Sequence, residues 1–133
     1  MLPKKIFDYF KNKEEVVAVY LFGSYVEGKE RPFSDIDIGI LLNKNDRHFV
    51  KEKRNEYMTK LSRVLRKDVH PVILNSAGEE LIKQIFLKGK CIFVNDTKTL
   101  SHYKMVMLSK IVDFAYYRNQ MQSGLIRSIM KGE

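Results

Sequence analysis

"LFGSYVEGKERPFSDIDIGILL", residues 21–42, is the stretch that decides the fold. An apolar run ends in Gly23-Ser24, a polar loop follows, and a second apolar run carries Asp35 and Asp37 at its start. Residues 16–22 read as a buried strand and residues 35–42 as a second one. Residues two apart on a strand point the same way, so Asp35, Asp37 and Gly39 share one face while Ile36, Ile38 and Ile40 share the other. The two Asp Cα atoms then lie about 6.5–7 Å apart. Carboxylates this close in a poorly solvated place repel. Either one keeps its proton at a raised pKa, or a divalent cation sits between them, and paired oxygen ligands suit Mg²⁺. Gly39 beside them is expected to leave that face open to a ligand.

Gly23-Ser24 closes the neighbouring strand. A glycine permits close backbone approach, and exposed N–H groups with the Ser24 hydroxyl can hold phosphate oxygens. Lys29 and Arg31 in the loop add positive charge for a polyphosphate. Taken singly these features are ordinary: Gly-Ser is a turn, and Asp35 a strand-entry residue with Ser34 beside it. Together, on two apolar strands, they form a phosphate cradle opposite a metal-binding carboxylate pair. That is the arrangement for phosphoryl or nucleotidyl transfer, where positioning and charge neutralisation carry most of the chemistry.

Outward from this core, Pro3 with Ile6, Phe7 and Phe10 predicts a first helix to about residue 13. A helix over residues 46–66 has Phe49, Val50, Tyr57, Leu61, Val64 and Leu65 on its apolar face. Residues 69–74 read as a third strand. Ser76 and Glu79 fit a capping box for a fourth helix, with Leu81, Ile82, Ile85 and Phe86 inward and Gly89 at its end. "CIFVN" is a short further strand, and a long helix begins near Thr97. Strands alternating with helices predict an α/β (α+β) domain: a mixed β-sheet flanked by helices. Residues 1–96 form its core and residues 97–133 a long C-terminal helix, within one domain overall.

The chain has 133 residues, a size at which one modest core is expected. No apolar run approaches the roughly 20 residues of a membrane span, and the start, "MLPKKIFDYFKNK", has no signal-peptide pattern. Cys91 is the only cysteine, which excludes an intrachain disulfide and a cysteine-based zinc site and fits a cytoplasmic setting. The net charge of +8 favours anionic partners: nucleotides, nucleic acid or an acidic protein surface. No nucleic-acid reading motif is present. His48 and His102 read as surface residues of helices, Tyr20 and Phe22 as core, and Glu79 and Glu80 as charges at a helix start.

Gly23-Ser24, a ten-residue spacer and Asp35-Ile36-Asp37 resemble the signature of the polymerase-β-like nucleotidyltransferase superfamily. Within it, "FGSYVEGKERPFSDIDIGILL", the "DVHPVILNSA" segment and the long last helix resemble the minimal nucleotidyltransferases (MNT), and among them the MNT antitoxins that partner HEPN ribonuclease toxins. The resemblance spans roughly residues 15–130. It implies ATP and Mg²⁺, with AMP passing to a tyrosine hydroxyl of the HEPN toxin. Asp35 and Asp37 would then ligate Mg²⁺, and Gly23 and Ser24 would bind the triphosphate. The same family usually carries a third carboxylate on the later strand, where this chain has His70. Three readings fit. His70 acts as neutral ligand or general base; Asp68 substitutes after a change of register near Pro71; or the site keeps binding but has lost catalysis, neutralising a partner by contact alone.

The last helix, "TLSHYKMVMLSKIVDFAYYRNQMQSGLIRSIM", would run about 50 Å, against roughly 35–40 Å for the diameter of a domain this size. Leu100, Tyr103, Met107, Ile111, Phe114, Met121 and Leu125 form one stripe, widened by Val106, Leu108, Val112 and Ala115. Its distal half, around Phe114, Tyr117, Met121 and Leu125, is expected to meet a HEPN toxin or a second copy of the chain, with Arg118 and Arg127 favouring an acidic partner face.

Overall fold

The computed structural model describes residues 2–28 and 35–130, with residues 114–130 given as helical backbone alone. Lys29 and Arg31 therefore lie outside the described residues, and so do the side chains of Phe114, Tyr117, Arg118, Met121, Leu125 and Arg127.

The elements follow in the order α1 (Leu2–Phe10), β1 (Val16–Phe22), α2 (Ser24–Glu27), β2 (Ile36–Leu42), α3 (Arg47–Leu65), β3 (Val69–Ile73), α4 (Glu79–Lys88), β4 (Lys90–Val94) and α5 (Thr97–Met130). The strands form one sheet in the order β3-β2-β1-β4. β1 runs antiparallel to β2 and β4, and β2 pairs parallel with β3. A mixed sheet flanked by helices is the fold expected from the alternation of strands and helices.

Strand alternation divides the core into two layers. Val19, Leu21, Ile36, Ile38 and Ile40 pack with Ile6 and Phe10 of α1 and Tyr57 and Leu61 of α3. Val17, Tyr20, Leu41 and Leu74 pack on the other side with Ile82 and Ile85 of α4 and Leu100 of α5. Tyr57 is fully buried; its ring meets Phe10 edge-on, and its hydroxyl donates to Glu15 Oε2 at 2.6 Å. Lys53 lies 3.4 Å from the same carboxylate. Burial alone would raise the Glu15 pKa, but the Tyr57 hydrogen bond and Lys53 outweigh it and hold the carboxyl below its usual range.

Three expectations need correction. Gly39 does not face an opening: it is buried, and a Cβ there would meet Ile85 Cδ1 at 3.3 Å and Leu74 Cδ2 at 3.4 Å. Close packing of α4 on β2 explains this glycine, and the open part of the face ends at Asp37. Ser76 does not cap α4. Its hydroxyl donates to the Ile73 carbonyl at 3.4 Å within the preceding turn, and Gly78 occupies the N-cap position. Val64 is 52% exposed, because the buried stripe of α3 runs through Val50, Tyr57, Leu61 and Leu65.

At the edge of the sheet, Pro71 lies in β3, where a missing N–H is tolerated. Its carbonyl accepts from Arg54 Nε at 3.3 Å. Asp96 begins α5 by accepting from the Thr99 N–H and hydroxyl. Leu100, Tyr103 and Met107 of α5 pack on the core, and the Tyr103 hydroxyl donates to the Leu74 carbonyl at 2.7 Å. On its other sides Met105, Leu108 and Val112 are exposed. Among the described residues, no helix is long and apolar enough to cross a membrane.

Candidate active site

The site lies where β1 ends and β2 begins. Antiparallel pairing puts Phe22 opposite Asp37, so the chain leaves β1 at Gly23 beside the Asp37 carboxylate. Gly23 adopts φ +79° and ψ −151°, a conformation in essence reserved for glycine. A Cβ there would run into Asp37 Oδ2. The turn and the carboxylate thus occupy one another's space, and only glycine permits it. Ser24 follows as the first residue of α2, which Gly28 ends in the left-handed conformation.

From the other side, parallel pairing sets His70 directly against Asp37. His70 Nδ1 lies 3.5 Å from Asp37 Oδ1, with the imidazole side chain 57% and the carboxylate 30% exposed. Burial raises the Asp37 pKa, the nearby imidazole opposes that, and the Asp35 charge adds to it, leaving a net upward shift. That upward shift is one of the two escapes open to paired carboxylates. Asp35 is exposed at the entrance to β2. Asp68 is exposed as well, and its carbonyl accepts from Ile36 N at 2.9 Å, which fixes the start of the β2/β3 ladder.

The structure thus brings Gly23, Asp37 and His70 into contact or near contact, with Asp35 and Ser24 at their margins. Among the described residues, no three His, Cys, Asp or Glu side chains converge as a metal set, so Asp68 does not complete one. Two carboxylates still fit a cation that arrives on a triphosphate, because Mg²⁺ retains waters and substrate oxygens and needs only one or two carboxylates from protein. A residue not singled out in the sequence also lies here. Lys67, in the turn before β3, has its ammonium 5.9 Å from the centroid of the Tyr25 ring on α2. Parallel β2/β3 pairing is what delivers that turn to the Gly-Ser cradle, and no local pattern announces it.

A sheet of this order, with a glycine-serine turn against a strand-borne aspartate, defines a nucleotidyltransferase domain. Residues 4–98 match the family model described as "Polymerase beta, Nucleotidyltransferase", and the chain belongs to that family. It is 37% identical over 79 residues to a protein adenylyltransferase of Shewanella oneidensis, MntA. That match covers 59% of this chain and 55% of the relative, so the chain aligns with only about half the relative's length. Among solved structures, a chain of a toxin–antitoxin crystal structure with AMP-PNP superposes with a TM-score of 0.74 at 26% identity, covering 95% of this chain and 99% of that one. A chain from the complex of a tri-AMPylated S. oneidensis HEPN toxin with its MNT antitoxin gives 0.61 at 25% identity, with 96% and 95% covered.

Proposed function

We propose that this chain is an MNT antitoxin that transfers AMP from ATP to a tyrosine hydroxyl of a cognate HEPN toxin and so neutralises it. The observation that supports the reading is the interlock of Gly23 with Asp37: a glycine-serine turn of a kind suited to phosphate lies against a strand-borne carboxylate of a kind suited to a divalent cation. The similarity to the S. oneidensis adenylyltransferase and to a chain from a complex with an AMPylated toxin supports the protein acceptor.

In this reading Asp35 and Asp37 hold Mg²⁺, which would neutralise the triphosphate and the departing pyrophosphate. Gly23 and Ser24 hold the phosphate chain, with Lys67 near them and Lys29 and Arg31 assigned to the same role from the sequence. The tyrosine oxygen bonds to the α-phosphorus as the α–β bridging P–O bond breaks, and pyrophosphate leaves with the electron pair. The tautomer of His70 that directs Nδ1–H at Asp37 leaves the lone pair on Nε2, which is free to accept the tyrosine proton. α5, with Met105, Leu108 and Val112 exposed, supplies the surface on which the toxin docks; the distal half around Phe114, Tyr117, Met121 and Leu125 extends it.

Intact mass spectrometry of the partner after incubation with ATP and Mg²⁺ tests the reading. The wild-type chain adds adenylyl groups to tyrosine, Asp35→Asn/Asp37→Asn adds none, His70→Ala adds few, and His70→Asp restores transfer. A second reading, neutralisation by contact alone, is favoured by the lack of a third converging carboxylate among the described residues. It predicts full neutralisation with no change in the partner's mass.

A further inference from the structure

At the opposite end of β2 from Asp37, about 17 Å along the strand, lies a cavity of about 480 Å³ lined by Asn45, Arg47, Val50, Lys51, Arg54 and Asn75, with Ser76 at its edge. Three of these residues are cations from one face of α3, spaced i, i+4 and i+7. On the neighbouring face of the same helix the lysines are neutralised: Lys53 by Glu15 and Glu56, and Lys60 by Glu56. Among the described residues, no carboxylate lies within ion-pair distance of Arg47, Lys51 or Arg54. The nearby Asp46 caps the helix by accepting from Phe49 N, and the cations lining the cavity are the side chains of Arg47, Lys51 and Arg54.

The walls are fixed. Asn75 accepts from Leu42 N and donates to the Leu42 carbonyl, both at 2.8 Å, tying the β3–α4 turn to the end of β2. Arg54 donates Nε to the Pro71 carbonyl, which holds its guanidinium in place and leaves the two terminal amino groups for a ligand. Ser76 gives its proton to the Ile73 carbonyl, so its oxygen can accept from a donor such as a ribose hydroxyl. Val50, 8% exposed, is the apolar floor.

From this we infer that the α3 face is a second anion site, distinct from the nucleotidyl-transfer site, which takes the phosphodiester backbone of a single-stranded nucleic acid. Arg47 and Arg54 are separated by about 10 Å of helix axis, so the three cations form an extended row rather than a single point of charge. An extended row of three cations suits successive phosphates better than one isolated phosphate. The net charge of +8 steers such a polyanion toward the protein over longer range. The inference stands whether or not the transfer reaction proposed above is correct.

The test is fluorescence polarisation of a labelled single-stranded oligouridylate against the wild-type protein, Arg47→Glu/Lys51→Glu, and the charge-matched control Lys4→Glu/Lys5→Glu on α1. All four positions are exposed, and circular dichroism melts establish that each variant folds. The first variant is expected to weaken binding by about tenfold or more and the control by less than about threefold. With three phosphates neutralised, the slope of log K against log salt should be roughly −2, falling toward −0.7 in the first variant. Equal loss in both variants, or no binding by the wild type, overturns the proposal. It is overturned equally if AMP or inorganic phosphate binds as tightly as the oligonucleotide, or if a poly-glutamate peptide competes as well.

Discussion

Replacing Gly23 with alanine separates two burdens that the structure places on one residue. The first is backbone strain: at φ +79° and ψ −151° a residue with a Cβ costs about 1–3 kcal/mol. The second is collision with Asp37 Oδ2, an overpacking term of about 1–3 kcal/mol. Gly23→Ala should therefore destabilise the protein by about 2–6 kcal/mol in urea unfolding followed by far-UV circular dichroism. In the Asp37→Ala background the carboxylate is gone, leaving the strain and a 3.2 Å contact with the Cβ of residue 37, so the cost of Gly23→Ala should fall by about 1–3 kcal/mol. Distant, independent sites add to within about 0.5 kcal/mol. A cycle that closes within that margin would refute the claim that the turn and the carboxylate share one space.

Other outcomes follow from the same geometry. Asp37 has a raised pKa, so its ionised form opposes folding. Asp37→Asn should raise the melting temperature of the cation-free protein at neutral pH, and the difference from wild type should shrink as pH falls through the Asp37 folded-state pKa. Glu15 has the opposite sign: its lowered pKa contributes stability present above the unfolded-state value and lost as pH falls through the folded one. Glu15→Gln should flatten the acid limb of a melting-temperature profile, whereas an unchanged limb would place that stability elsewhere. Tyr57→Phe removes the hydrogen bond to Glu15 and should cost about 1–3 kcal/mol by denaturant titration. Truncation after Ser109 keeps Leu100, Tyr103 and Met107 on the core, so ATP binding should persist while association with a HEPN toxin, read by sedimentation, weakens.

Much of this architecture was legible because the local patterns are strong. Val16–Phe22 is apolar throughout and lies in a central strand buried on both faces. The isoleucine-aspartate alternation of residues 35–38 fixes which face each side chain takes. The helix starts expected near residues 46 and 97 agree with α3 and α5, which Asp46 and Asp96 cap. What failed was information about which element lies across a face. Alternation put Gly39 beside Asp37 but could not reveal that Ile85, far along the chain, packs against it. The Ser76–Glu79 spacing met the capping pattern, yet the turn engaged the Ser76 hydroxyl first. The pairing of His70 with Asp37 is a long-range register, accessible in the sequence only through family resemblance. Lys67 and the Arg47–Lys51–Arg54 row had no such guide, since a lysine in a turn or a cation on a helix looks the same whether or not it faces a ligand.

The central claim is that ATP and Mg²⁺ are held together between the Gly23-Ser24 turn and the Asp35/Asp37 carboxylates. Isothermal titration calorimetry of ATP into wild-type protein and Asp35→Asn/Asp37→Asn, each with and without Mg²⁺, addresses it most directly. Wild-type protein should bind ATP in a Mg²⁺-dependent way, and the double variant should lose that binding with its fold intact by circular dichroism. ATP affinity that is unchanged by the double substitution, or indifferent to Mg²⁺, would contradict it.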